Sequence, residues 1–460
     1  MIVEEQKETR KATIVMETSK QGADANEITP EMLAKGARRL KWKWAEVSIW
    51  TDAMLEALES GVKGGKWFSL VDKVYRENTL WKAWCKVRSN KGAAGVDKIT
   101  IERFEEQQDK YLAELEQELK DSIYKPQAVR RVYIPKDKGK LRPLGIPTIK
   151  DRIAQQAVKM AIEPIFEKEF LNSSYGFRPN KGAHEALEQV NSLLKEGYTW
   201  VVDADLQSYF DSIPHKRLLN KVELQISDSR IIELLEGWLK QEIMEECKGW
   251  KPMEGTPQGG VISPLLANIY LHDLDVKMAK AGYRMLRFAD DFVILTKTKE
   301  EAEKALNLVQ EWVTENGLVL HPEKTHIGNA TIEGQGFQFL GYRFEAGTSW
   351  IRPKSIQKFR DRIRQVTKRN CGISIDCVIQ RLNPILRGWC NYFKNVTKYT
   401  LGTFDGFVRR RLRAIICMQN KKQRFGAGWA NVTIPNAFFA SKGLFNMESF
   451  QIAYLAHQSR

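Results

Sequence analysis

Apolar side chains recur at spacings of three and four through Leu40, Trp44, Val47, Trp50, Met54 and Leu58, which predicts helix across residues 30–62, closed by the turn Gly61 to Gly65. The same periodicity predicts helices over 67–84, 101–119 and 152–170, and another ending at Leu194. An amphipathic helix follows Glu300, with Ala302, Ala305, Leu306, Val309, Trp312 and Val313 on its apolar face. The glycines of NKGAAGVDKIT suggest backbone lying close to another surface. Residues 1–30 are polar and aperiodic, so a mobile tail is expected there.

Strand patterns interrupt this helical texture. RRVYIPKDKGKLRPLGIP alternates apolar and basic residues around a DKGK turn, which predicts a hairpin with a cationic face over 130–147. Residues 199–202 read as a buried strand, and 283–296 as strand, tight turn, strand, with Asp290 and Asp291 at the turn. Short strand segments are expected in LVLHPEKTHI and FQFLGYRF. From about residue 355 the chain turns helical and strongly basic, with Arg409, Arg410, Arg411, Arg413, Lys421, Lys422 and Arg424 close together. The mixture is α+β, and 460 residues suffice for several packed units around one cleft.

Charge adds a partner class. Lys plus Arg number 72 against 57 Asp plus Glu, a net of +15, and such a surface attracts polyanions through phosphate contacts and counterion release. The six cysteines show no C-x-x-C pairing, which argues against a zinc ribbon or a disulfide-stapled secreted domain. The N-terminus has no apolar signal region and no stretch stays apolar long enough to span a bilayer, so a cytoplasmic location is expected.

Carboxylates supply the candidate chemistry. Two-metal phosphoryl transfer needs acidic groups from separate strands to converge. In WVVDADLQSYFDSI an apolar run delivers Asp205 at a strand end, and in RFADDFVILT a hairpin turn presents Asp290 and Asp291. Asp203 shares the strand parity of Asp205 and is the rival ligand, without an aromatic at the spacing Phe210 supplies for Asp205. His272, Asp273 and Asp275 in YLHDLD carry ligand-type side chains but follow a helical apolar run, where they read as its polar face.

Four motifs occur in order: DLQSYF at 205–210, TPQGGVISPLLANIY at 256–270, FADD at 288–291 and FLGY at 339–342. Together they resemble the palm motifs of reverse transcriptases, with Phe288 where that family usually has tyrosine. IPKDKGKLRPLGIPT at 134–148, SSYGFRP at 173–179 and RGWCNYF at 387–393 narrow the resemblance to bacterial group II intron-encoded reverse transcriptases. It covers nearly everything from about residue 50 onward.

That resemblance implies a right-hand polymerase, with fingers and palm carrying an antiparallel sheet, followed by a helical thumb or maturase domain. It implies boundaries at 1–30 for the tail, 31–120 for a helical extension and the start of the fingers, 121–350 for fingers and palm, 351–424 for the thumb (domain X) and 425–460 for a short DNA-binding-like tail. Asp205 and Asp290 would bind two Mg²⁺ ions (Mn²⁺ substituting), with Asp291 as a weaker third carboxylate and the Leu206 carbonyl completing one shell. Lys136 and Arg142 would neutralise the incoming triphosphate. Phe210 would be the steric gate against a ribose 2′-hydroxyl, its alternative being a core aromatic. Gln258 would contact the nucleotide sugar and template base, and Lys324 would protonate the leaving pyrophosphate or form a salt bridge with Glu323 or another neighbour.

In the thumb, Arg387 and Trp389 join the basic cluster from Arg409 to Arg424 as RNA-binding candidates, although the aromatics of RGWCNYF also suit a core. The implied partners are group II intron RNA, an RNA template with DNA or RNA primer, dNTPs and target DNA. The implied function is RNA-directed DNA synthesis with assistance to intron splicing and retromobility. Two alternatives remain open: a domesticated or defence-associated reverse transcriptase, and a binding-only maturase. The last segment has only His457 and no cysteine pairs, so no H-N-H endonuclease is expected.

Overall fold

The computed structural model describes residues 30–135, 141–245, 248–250, 254–256, 259–370, 372–396, 398–419 and 431–458. The chain divides into two units, Met1–Gly65 and Lys66–Arg460. In the first, the single helix expected over 30–62 is two, Pro30–Lys41 and Asp52–Ser60. The break comes where Thr51 turns extended and its side chain accepts a hydrogen bond from Met54 N, an N-cap that starts a new helix. The linker folds inward, burying Trp42, Ala45, Ile49 and Trp50.

In the second unit the helix expected over 67–84 is likewise divided, into Val71–Val74 and Glu77–Ser89. Asp228 decides the first start, its carboxylate accepting from Leu70 N at 2.6 Å and Val71 N at 2.9 Å. Because that partner lies 158 residues away, no local pattern could show it. The helix expected over 101–119 breaks at Gln107 into Ile101–Glu105 and Gln108–Lys120.

Among the described residues three sheets carry the architecture. Strands β1 (Val129–Pro135), β2 (Leu141–Ile146), β4 (Ile243–Glu245) and β5 (Lys248–Trp250) lie in the order β2-β1-β4-β5. The expected cationic hairpin is there, antiparallel from Arg130 opposite Ile146 to Pro135 opposite Leu141; its DKGK turn lies outside the described residues. Strands β3 (Trp200–Asp205), β6 (Arg284–Phe288), β7 (Asp291–Thr296) and β8 (His326–Asn329) form a second sheet, order β6-β7-β3-β8, antiparallel throughout. β3 runs three residues past the expected Val202, because β7 pairs with it along its whole length and keeps the ladder intact through Asp203 and Asp205.

Strands β9 (Phe337–Phe339), β10 (Tyr342–Glu345) and β11 (Thr348–Ile351) make the third sheet. The β9–β10 loop is Leu340 and Gly341, both at positive φ (48° and 84°), the two-residue turn whose twist suits a hairpin. Beyond it lie the helices Pro353–Val366, Ile375–Tyr392, Lys398–Gln419, Asn436–Ser441 and Met447–Gln458. One apolar core joins Val201, Val293 and Leu295 of the second sheet, through Phe337, Phe339 and Phe344, to Leu382, Leu386, Leu412 and Ile415 of these helices. The α+β class and the order of strand-rich then helical regions agree with the sequence expectation. No helix among the described residues is long and apolar enough to cross a membrane.

Candidate active site

The second sheet brings the acidic motifs together by register. Asp205, last in β3, stands directly opposite Asp291, first in β7, and Asp290 occupies the two-residue β6–β7 turn. Like charges at directly opposed strand positions destabilise a sheet unless a cation balances them. The strain is visible in the protonation equilibria. Burial first, and then repulsion from Asp203, Asp290 and Asp205, pushes Asp291 up to about 8. Asp290 is raised by burial and by Asp205, and partly relieved by the charges of Arg142 and Lys324.

Asp203 shares this face, two residues back along β3, and besides repelling Asp291 its carboxylate accepts from Gln338 N at 3.3 Å and lies 4.0 Å from His326 Nε2. Burial raises Asp203 to about 6. Asp205 instead pairs with the Lys324 ammonium, so the salt-bridge partner of Lys324 is Asp205 and not Glu323. Beyond β3, His321 N donates to Asp205 O (2.8 Å) and Gln207 N to Val319 O (2.9 Å). The Leu206 carbonyl takes no part in either bond.

These donors suit a hard divalent cation. Mg²⁺ is commonly held by one or two carboxylates while water and substrate phosphates complete its octahedron. Among the described residues no three Asp, Glu, His or Cys side chains form a group that could hold a metal ion by themselves.

Phe210 lies in the short helix Tyr209–Ser212, half-buried, its ring edge-on to Tyr209 with centroids 5.5 Å apart. Tyr209 is fixed beneath by a hydrogen bond from its hydroxyl to Ala267 O (2.6 Å). Just beyond this helix, Thr256 N donates to Phe210 O (2.5 Å) and Gly255 N to Ile213 O (2.8 Å). Gly259, at φ 118°, lies so close to β2 that a Cβ there would collide with the carbonyl oxygen of Gly145. Val261 N, two residues on, donates to Gln155 Oε1 at 2.8 Å. Arg142 is exposed on β2. Lys136 and Gln258 lie outside the described residues, as do Lys421, Lys422 and Arg424.

Several groups sit differently from the sequence expectation. Asp275, read as polar helix face, is buried and paired to Arg287 at 2.5 Å. Asp273 is exposed and pairs with Lys221, while His272 packs edge-on to Phe170 at 5.5 Å. Trp389 stacks on Phe359 with centroids 4.0 Å apart and packs against Phe393 and Phe404, which is the core alternative. Arg413, expected on an RNA face, is buried, with Nε on Ile434 O (2.8 Å) and Nη2 on Asn436 Oδ1 (2.7 Å). Arg411 donates to Thr367 Oγ1 (3.0 Å) and O (2.5 Å). Arg387 lies over the Phe445 ring, 4.8 Å from its centroid. Arg410 is exposed and Arg409 half-buried. Sequence reasoning missed Arg287 and Asn268 because a basic residue in a strand and a lone Asn in a helix give no signal of burial.

Comparison with known proteins shows the family. Residues 134–344 match the family "Reverse transcriptase (RNA-dependent DNA polymerase)" and residues 356–431 match "Group II intron, maturase-specific domain". Protein YkfC of Escherichia coli is 37% identical over 296 residues, 55% of this chain and 77% of that protein. The group II intron-encoded protein LtrA of Lactococcus lactis is 41% identical over 203 residues, 44% of this chain but only 33% of LtrA. The putative COX1/OXI3 intron 1 protein of Saccharomyces cerevisiae is 28% identical over 69% of this chain and 44% of its own length.

Proposed function

Because the chain belongs to the reverse transcriptase family, in the branch that carries a group II intron maturase-specific domain, we propose that it copies intron RNA into DNA and assists the splicing and mobility of its host intron. The observation that carries the reading is the opposition of Asp205 and Asp291 across adjacent strands, with Asp290 in the turn beside them. When bound, two Mg²⁺ ions would lower the pKa of a primer 3′-hydroxyl and offset charge at the reacting phosphate. Asp205 and Asp290 would hold them, with Asp291 and the Leu206 carbonyl assisting.

The chain's own groups then orient the substrates. Arg142 and Lys136 would meet the triphosphate of the incoming dNTP, an electrostatic clamp set before reaction. Gln258 would contact the sugar and template base, and Lys324 would give a proton to the departing pyrophosphate. Phe210 would close the sugar pocket, because a rigid ring leaves no room for a 2′-hydroxyl. Phe210→Val is therefore expected to raise ribonucleotide incorporation by about ten-fold or more, read as the ratio of kcat/KM for rNTP and dNTP.

The basic thumb would grip the template–primer duplex and intron RNA in the cytoplasm. Its arginines divide by burial. Arg410→Ala is expected to weaken RNA binding and to lower the salt slope by about one unit. Arg413→Ala is expected to lower the thermal midpoint instead, since it leaves Ile434 O and Asn436 without their donor. Filter binding across a salt series and a thermal melt separate the two.

Primer extension on an RNA template with Mg²⁺, run beside binding and splicing of the intron RNA, tests the function. Extension together with faster splicing supports the reading. Binding and splicing without extension would make the protein a binding-only maturase, and extension with no effect on intron RNA would favour a reverse transcriptase working outside an intron.

A further inference from the structure

Among the described residues Arg287 is the most deeply buried arginine, 1% exposed, and none of the roles assigned above uses it. Its guanidinium makes four hydrogen bonds: Nε to Asp275 Oδ1 (2.8 Å), Nη2 to Asp275 Oδ2 (2.5 Å), and Nη1 to both Asn268 Oδ1 (2.8 Å) and Ala289 O (3.0 Å). The last acceptor is the residue before Asp290. Ala289 has φ 61°, a left-handed conformation that L-residues disfavour and that persists only where its surroundings impose it.

Those surroundings are built from three segments. Asn268, buried in the helix Ser263–Lys280, donates through Nδ2 to Gly176 O at 2.8 Å. Gly176 lies against the turn so closely that a Cβ would overlap Ala289 N and approach Phe288 C to 2.9 Å. The SSYGF segment is also laced to β6, with Arg287 N donating to Ser173 O (2.9 Å) and Tyr175 N to Arg287 O (2.8 Å). From behind, Arg178 Nη1 donates to Leu171 O (2.5 Å) and Ser174 O (2.7 Å), and its guanidinium pairs with Glu167. Residues from SSYGFRP, LLANIY, YLHDLD and RFADD thus meet at one peptide.

We propose that Arg287 is a positioning residue: oriented by Asp275 and Asn268, it holds the Ala289 carbonyl and so fixes the left-handed turn that aims Asp290. A guanidinium suits this because its planar fork makes four bonds at once, two to the carboxylate and two to further acceptors, whereas an ammonium has three donors. The effect on catalysis rests on the polymerase function; the effect on the turn does not.

Removing Arg287 alone strands a buried carboxylate and endangers folding. The test therefore uses Arg287→Met combined with Asp275→Leu, since apolar replacement of a whole buried pair is often neutral or stabilising. Arg287→Lys, which keeps the charge pair but not the full fork, is the second variant. With thermal midpoints near wild type, kcat for primer extension is expected to fall about ten-fold or more, with KM for dNTP and template–primer within about two-fold, as misplacement of a reacting group predicts. Hydrogen exchange of the amides in 288–291 is expected to rise in both variants while the rest of the sheet is unchanged. Adding Ala289→Gly should restore most of the lost kcat, because glycine adopts positive φ without a clamp.

Unchanged exchange in 288–291, unchanged kcat in either folded variant, or a loss that Ala289→Gly leaves untouched would each overturn the proposal. If the wild-type protein fails to extend primers, the polymerase function falls, and the exchange measurement still decides whether Arg287 holds the turn.

Discussion

Asp290→Ala is expected to abolish primer extension, lowering kcat by at least about three orders of magnitude, while RNA binding stays within about two-fold of wild type. The separation follows from where the groups lie. Asp290 is in the β6–β7 turn, whereas the exposed cations proposed to meet RNA are on the thumb helices. The same variant should hold or raise the thermal midpoint in the absence of divalent ions. Burial and the nearby Asp205 raise the pKa of Asp290, so at neutral pH its charge opposes folding, and alanine removes that opposition. A melt in chelator and an extension assay in Mg²⁺ together check both halves. A variant that lost activity by unfolding would show the opposite midpoint shift.

The carboxylates were legible in the sequence because each sits in a short run whose strand or turn character is local. Asp205 ends an apolar strand and Asp290 lies between two β-forming runs, so register alone brings them near one another. The supports were not legible. Asp275 occupies a helix whose periodicity is blurred by burial on several sides, and nothing nearby in the chain announces that Arg287, twelve residues on, turns inward to meet it. The helix start at Val71 was missed for the same reason, since its cap comes from Asp228. In the thumb, charge density suggested a phosphate-binding face, yet Arg411 and Arg413 spend donors on backbone carbonyls and Trp389 stacks within the core. Composition records how many cations a helix carries; only packing says which way each points.

Gly259→Ala should lower kcat/KM for dNTP by about a hundred-fold with template–primer affinity nearly unchanged, the second large effect expected of a single substitution. Two constraints coincide at this position. Its φ of 118° is one L side chains rarely adopt, and a Cβ would meet the carbonyl oxygen of Gly145, with Leu144 Cδ1 at 3.1 Å. Leu144 could swing aside, but the Gly145 carbonyl is backbone of β2, held in register opposite Arg131 of β1. Gly259 must therefore move, while Val261 two residues on is tethered to Gln155 and Thr256 to Phe210. Displacement would be passed to the sugar gate on one side and to the Arg142 strand on the other, the two groups proposed to seat a nucleotide. Steady-state kinetics with varied dNTP distinguishes this from a general loss of stability. A rise in KM for dNTP, with KM for template–primer and the thermal midpoint unchanged, is the expected pattern. An equal loss against both substrates would place the contact outside nucleotide binding.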